Sequence, residues 1–247
     1  MGAGRGGGAL SAVPPPAAVV PESLGILGGT FDPIHHGHLA IAEETREALG
    51  LERVVFVPAA VPPHRAAAPG APAEDRARMV ELAIVGNPAF SMSRIELDRA
   101  GPSYTVDTLA MLAAERAGRP DVVFILSAEA LAGLPDWHDP RGVLRLARLA
   151  VVPRAGSPAL GPAWAAERFP GLEPRFLWLD GPLLPVSGSV IRARAAAGRS
   201  VRYLVPESVA RYIGDHRLYR SAAAPGATPV TARAPAAGRP SIEDSTL

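Results

Sequence analysis

The chain has 247 residues, a formal net charge of +1 and no cysteine. A near-neutral charge gives no electrostatic reason to expect nucleic acid or a membrane surface as a partner, and the missing cysteines exclude disulfides and thiolate chemistry. No apolar run approaches the roughly 18 residues of a membrane span, and the N-terminal stretch lacks the apolar segment of a signal peptide, so a cytoplasmic enzyme is the default expectation.

Residues 1–22 are mostly Gly, Ala and Pro, and residues 221–247 are again Ala, Pro, Gly and polar residues. Neither stretch shows apolar periodicity, so both are expected to be disordered tails flanking one domain at 23–220. About 200 residues suffice for one sizeable core.

Within that domain, the apolar run at 24–27 reads as a buried strand bounded by glycines. A Gly-rich turn follows, and then a helical pattern over 39–49 that stops at Gly50. Residues 53–57 form a second buried-type strand ended by Pro58, which completes a βαβ unit and implies a parallel sheet with a right-handed crossover. The segment 59–73 is a Pro-rich loop carrying Pro62-Pro63-His64-Arg65, and a loop this long inside a compact domain is usually functional. Residues 74–85 are helical, 89–97 read as a strand, and Gly101-Pro102-Ser103-Tyr104-Thr105 opens a helix running to about residue 116. A buried strand at 121–126 leads into Ser127-Ala128-Glu129 and on to Trp137. A short helix at 143–147 and a strand at 149–152 end at Arg154. Residues 157–174 are irregular and partly helical, 175–179 form a last strand, and a helix begins within 185–192. A final short helix follows Pro206, with Val209, Tyr212 and Ile213 facing inward. Alternating strands and helices give an α/β domain with a mainly parallel sheet.

The turn Gly28-Gly29-Thr30-Phe31-Asp32-Pro33-Ile34-His35-His36-Gly37-His38 is the chemical centre of the chain. Its glycines let backbone N–H groups approach a ligand, and the helix N-terminus after it adds partial positive charge, so the arrangement favours phosphate. His35 and His38 are three residues apart at the helix start and can face the same phosphate, whereas His36 lies off that face. The i, i+4 His pair and neighbouring acid of a helical zinc site are missing, so no protein-held metal is expected. Glu129 follows the C-terminal end of a parallel strand, where an acid can hold a ribose hydroxyl. Arg154, just beyond another strand, suits a phosphate clamp or a solvated surface. Ser189 and Arg192 share one face at the start of a late helix, while Arg194 points elsewhere.

Residues 29–38 carry a complete GTFDPxHxGH signature. The chain thereby resembles the adenylyltransferases that act on nicotinate mononucleotide, within the HxGH nucleotidyltransferase superfamily. Further elements appear in family order over roughly 24–220: Pro-Pro-His-Arg at 62–65, Ser-Tyr-Thr at 103–105, Trp137, Arg154, and Val-Ser-Gly-Ser-Val-Ile-Arg at 186–192. The resemblance implies a Rossmann-like nucleotidyltransferase fold with helices on both faces of the sheet. It implies transfer of AMP from ATP, accompanied by Mg2+, to nicotinate mononucleotide. His38, His35 and Arg192 are then the catalytic residues. Gly29, Thr30, Phe31, Glu129 and Ser189 join them at ATP, and Arg65, Thr105, Trp137 and Arg154 bind the mononucleotide. Several positions depart from the family pattern, Ser127 and Ala155 among them. Arg65 replaces Lys, Glu129 stands where Asp is usual, and Gly188 and Ser189 replace Ser and Thr. Two other functions fit the nucleotide site: a sister adenylyltransferase acting on phosphopantetheine or nicotinamide mononucleotide, and a non-catalytic nucleotide-binding regulator. The 103–105 run and Trp137 oppose the first, and His35, His38 and Arg192 oppose the second. An oligomer is compatible with the sequence.

Overall fold

Six strands, most of them rich in β-branched or aromatic side chains, line up in parallel because every connection between them carries a helix. The computed structural model describes residues 23–62, 68–115, 122–153, 156 and 160–220. The strands are β1 (Leu24–Gly29), β2 (Arg53–Pro58), β3 (Phe90–Met92), β4 (Val122–Ser127), β5 (Arg148–Val152) and β6 (Phe176–Trp178). Their order across the sheet is β3-β2-β1-β4-β5-β6, with all neighbours parallel.

Side chains alternate between two cores, one on each face of the sheet. Leu27, Val54, Phe56, Val123 and Ile125 point to one core. There they meet α1 (His36–Ala48), α2 (Ala73–Ile84), α7 (Gly188–Ala196) and α8 (Glu207–Asp215) through Ala42, Met79, Val80, Ile191, Val209 and Ile213. Leu24, Ile26, Val57, Phe124 and Leu126 point to the other. That face is covered by α3 (Thr105–Glu115), α4 (Ala128–Ala132), α5 (Pro140–Leu146) and α6 (Pro162–Arg168), through Leu109, Leu131, Val143, Leu144 and Ala165. Helices on both faces of a parallel sheet are what the resemblance implied.

The strand expected over 89–97 is a correction: only Phe90–Met92 pairs. It is an edge strand with one neighbour. Beyond it the Ser93 N–H still bonds to the Phe56 carbonyl at 2.9 Å, but the Ser93 hydroxyl then accepts from the Ile95 N–H and turns the chain away from the sheet. The turn carries Glu96 toward the ends of the neighbouring strands. Helix α3 likewise begins at Thr105, later than the Gly101–Ser103 run that announces it.

Register explains where a ligand fits. Strands β1 and β4 pair from Leu24↔Val122 to Leu27↔Ile125 and no further. Beyond that point β1 stays with β2 as far as Gly29↔Pro58, and β4 stays with β5 as far as Ser127↔Val152. The sheet therefore splits at the C-terminal edge between β1 and β4, where the strand order reverses. Open α/β sheets bind ligands at such a switch point.

Candidate active site

A cleft of about 670 Å³ opens at this split. Gly28, Gly29, Thr30, His35 and His38 form one side, Leu126, Ser127 and Glu129 the other, and Ser103, Thr105 and Trp137 one end. This volume lies within the range of nucleotide-sized pockets.

His35 is the N-cap of α1 and His38 is its third helical residue. Their rings stack with centroids 3.8 Å apart. Gly37 makes this possible, because a Cβ there would come within 3.0 Å of His35 Nδ1. The glycine of His-x-Gly-His therefore provides room for the first imidazole, not a special backbone angle. The His35 backbone N–H donates to His38 Nδ1 at 3.3 Å, which leaves the neutral ring's proton on Nε2 as a donor. Phe31 is buried and presents its ring edge-on to His38 with centroids 5.1 Å apart, so it supports the imidazole from below and does not line the cleft. His36 is exposed, and its backbone N–H bonds to the Leu204 carbonyl.

Arg192 and Ser189, expected at the triphosphate, do not line the cleft. Arg192 Nη1 donates to the Asp32 carbonyl at 2.7 Å and lies 3.5 Å from Asp32 Oδ2. Ser189 is exposed on the first turn of α7, with its hydroxyl 3.1 Å from that of Ser187, the residue that caps the helix through the Val190 N–H. Gly188 explains one departure from the family pattern. A Cβ there would stand 2.8 Å from the Asp32 carbonyl oxygen, so glycine lets α7 approach the turn closely enough for Arg192 to reach it.

At the other end of the cleft, Thr105 is the first residue of α3, and Trp137 sets its ring edge-on against Phe124 at 6.2 Å. Ser103 is not a simple helix cap. Its hydroxyl accepts from the backbone N–H groups of Ala60 and Val61 at 3.1 and 3.4 Å and ties the end of β2 to α3. Glu129 lies in the first turn of α4 and is exposed to the cleft. Arg65 and Arg154 lie outside the described residues.

The cytidylyltransferase-like family matches residues 26–194. A protein of Roseiflexus sp. (strain RS-1), named "Probable nicotinate-nucleotide adenylyltransferase", is 49% identical over 80% of this chain and 98% of its own length. One of Thermomicrobium roseum with the same name is 44% identical over 84% of this chain and 97% of its own. The chain belongs to the nicotinate-nucleotide adenylyltransferases. The fold of this adenylyltransferase is also that of a solved structure, the Plasmodium falciparum nicotinic acid mononucleotide adenylyltransferase complexed with NaAD. That chain superposes with a TM-score of 0.65 at 15% identity, covering 80% of this chain and 97% of the other.

Two polar residues of this adenylyltransferase were missed by sequence reasoning. Arg76 on α2 is buried and donates to the carbonyls of Thr30 at 2.6 Å, Ala71 at 3.2 Å and Ala60 at 3.3 Å. It fastens the Gly-rich turn to the loop after β2. Its spacing was the available signal, since Met79 and Val80 at i+3 and i+4 put it on the apolar face. Glu96 is buried at the cleft wall and accepts the Thr108 hydroxyl at 2.7 Å. Burial pushes its carboxyl above the usual range, against the hydroxyls of Thr108 and Ser103 and the charge of Arg99. A raised folded-state pKa means that the stability it confers is complete below the unfolded value and is lost as pH rises through the folded value. Glu96→Gln should therefore flatten part of the fall in stability expected of the unmodified protein as pH rises from the unfolded carboxyl value through the folded one. Urea unfolding at pH 5 and pH 8 checks this; equal pH slopes in the two proteins would contradict it.

Proposed function

We propose that this chain transfers AMP from ATP to nicotinate mononucleotide, giving deamido-NAD and pyrophosphate, at the β1/β4 cleft. The observation that carries the reading is the stacked His35–His38 pair beside the Gly28–Thr30 turn at the switch point, in a chain of this family. An oxygen of the mononucleotide phosphate attacks the α-phosphorus of ATP. A new P–O bond forms, the bond to the bridging oxygen toward the β-phosphorus breaks, and pyrophosphate leaves with the electron pair. The attacking oxygen is already ionised at neutral pH, so no general base is needed. Catalysis is then positioning plus stabilisation of charge on the phosphate oxygens.

His38 and His35 face the triphosphate, with the backbone of Gly29, Thr30 and Phe31 near the α-phosphate and nucleoside. Arg192 and Ser189 approach from α7, and Glu129 holds a ribose hydroxyl. Arg65 and Arg154 meet the mononucleotide phosphate, and Thr105 and Trp137 meet its ring. Magnesium enters as the ATP complex: among the described residues no three His, Asp or Glu side chains are grouped to hold a metal, and hard phosphate oxygens suit Mg2+. A cytoplasmic location belongs to the same reading; no described helix is long and apolar enough to cross a membrane.

The catalytic unit is 23–220. In its support, the 197 residues aligned with the Roseiflexus relative make up 98% of that relative. Pyrophosphate release should be measured with ATP plus nicotinate mononucleotide, nicotinamide mononucleotide or phosphopantetheine, using the full chain and a chain trimmed to 21–220. Both should turn over nicotinate mononucleotide best, and the trimmed chain should stay within about tenfold, or about 1.4 kcal/mol of barrier. Preference for phosphopantetheine would indicate the sister enzyme, and no release with any acceptor would indicate a regulator.

A further inference from the structure

Glu96 reaches the cleft wall from the turn after β3 and is buried against two hydroxyls of the α3 region. The Thr108 hydroxyl donates to Glu96 Oε1 at 2.7 Å and has a second acceptor, the Tyr104 carbonyl, at 3.2 Å. The Ser103 hydroxyl meets the same carboxyl. Ser103 has little freedom of its own. Its N–H donates to the Val61 carbonyl at 3.0 Å, and its hydroxyl oxygen accepts from the N–H groups of Ala60 at 3.1 Å and Val61 at 3.4 Å. Both lone pairs of that oxygen are used, so the hydroxyl can only give its proton away, and Glu96 takes it. Ser103 stands before Thr105 in the chain and Thr108 after it. Thr105, which lines the cleft as the first residue of α3, therefore lies between two positions held by one buried carboxyl.

A buried donor left without an acceptor carries its full desolvation penalty, so removing Glu96 forces Ser103 and the turn it anchors to rearrange. Only the Ser103 side demands an acceptor. On the other side either polarity works, because the Thr108 hydroxyl can accept a proton and pass its own to the Tyr104 carbonyl. On the reading that the first turn of α3 meets the ring substituent of the mononucleotide, we propose that Glu96 is a positioning residue that sets the choice of acid over amide by fixing that turn through Ser103 and Thr108. Glu96 thus acts on the substrate through Thr105 and the N–H groups beside it.

Glu96→Leu removes the acceptor. The KM for nicotinate mononucleotide should then rise at least about fivefold, the scale of one hydrogen bond, and the ratio of kcat/KM for acid over amide should fall by a similar factor. The KM for ATP should stay within about twofold, because the His35–His38 end of the cleft shares no partner with Glu96. Glu96→Gln can turn its carbonyl oxygen to Ser103 and its NH₂ to Thr108, so its KM for nicotinate mononucleotide should be no more than about twofold above normal. That rescue separates a hydrogen-bonded clamp from an effect of carboxylate charge, which the Gln and Leu variants would share. Thr108→Val, which removes one arm of the clamp at nearly constant volume, must lower the acid-over-amide ratio at least about twofold if the Leu variant folds poorly. An unchanged ratio in the folded variants, an equal rise in both KM values, or a Gln variant as impaired as the Leu variant would each overturn the inference while leaving the activity intact. Parity of the two mononucleotides in the unmodified protein would instead overturn the placement of α3 at the ring substituent, and the inference with it.

Discussion

Replacing His38 by alanine should lower kcat by about 10²–10³-fold and shift Tm by only a few degrees. The loss is expected because charge grows on the triphosphate oxygens in the transition state, and a fixed donor there is worth this much in a partly dry site. His38 is fixed from two sides. Its Nδ1 accepts from the His35 backbone N–H, which directs the ring proton to Nε2, and Phe31 supports the ring edge-on at 5.1 Å. The cost to stability includes that aromatic contact, about 0.5–1.5 kcal/mol, the stack on His35 and one hydrogen bond of about 1 kcal/mol. His36→Ala is the internal control. Its side chain is exposed and its one fixed bond is through the backbone N–H, so kcat should stay within a few-fold of normal. Pyrophosphate release and thermal unfolding of the two variants decide the matter. Near-normal kcat in His38→Ala, together with a large drop in Tm, would make the imidazole a structural cap.

What could be read from the residues was what repeats locally. The strand at 24–29, the helix behind His35 and the strand at 53–58 are visible because their apolar periods are short and their boundaries carry Gly or Pro. The Gly-rich turn at the cleft was legible for the same reason: glycines, histidines and a helix start are adjacent in the chain. The reading failed where pairing or packing decides. Apolar residues from 89 to 97 suggest one long strand, but only β2 lies beside that segment, and Ser93 breaks the ladder after three paired residues. Asp32 reads as part of a turn, yet its partners are Gly70, Ala71 and Arg192, the last of them 160 residues away. Gly188 looks like a loss of a phosphate-binding hydroxyl, and only the close approach of α7 to the Asp32 carbonyl gives it a reason. The partners of Arg76, Thr30 and Ala60, are such long-range meetings, although its place on the apolar face of α2 is itself a local pattern.

Nicotinate mononucleotide should be preferred over nicotinamide mononucleotide by at least about tenfold in kcat/KM. Both rings are pyridinium cations, so an electron-rich face opposed to the ring attracts them equally, by about 0.5–2 kcal/mol. Trp137 lines the cleft and offers such a face, braced by Phe124. Trp137→Ala should therefore weaken both substrates together and leave their ratio intact. Discrimination has to come from donors that meet the carboxylate. The Ser103 hydroxyl accepts from Ala60 and Val61 and gives its own proton to the Glu96 carboxyl, which leaves the Thr105 hydroxyl and the N–H groups of the first turn of α3. Donors aimed at an anion favour it over an amide, whose NH₂ would face another donor and lose a hydrogen bond. Glu96 lines the same cleft, and an ionised carboxylate there would oppose the acid substrate. Burial raises the Glu96 carboxyl from its usual range, which lessens that opposition. Thr105→Val removes one donor at nearly constant volume and should narrow the preference, mainly by lowering kcat/KM for the acid. Steady-state kinetics on both mononucleotides with the unmodified protein, Trp137→Ala and Thr105→Val test each step. Parity of the two substrates in the unmodified protein would show that the first turn of α3 does not meet the ring substituent.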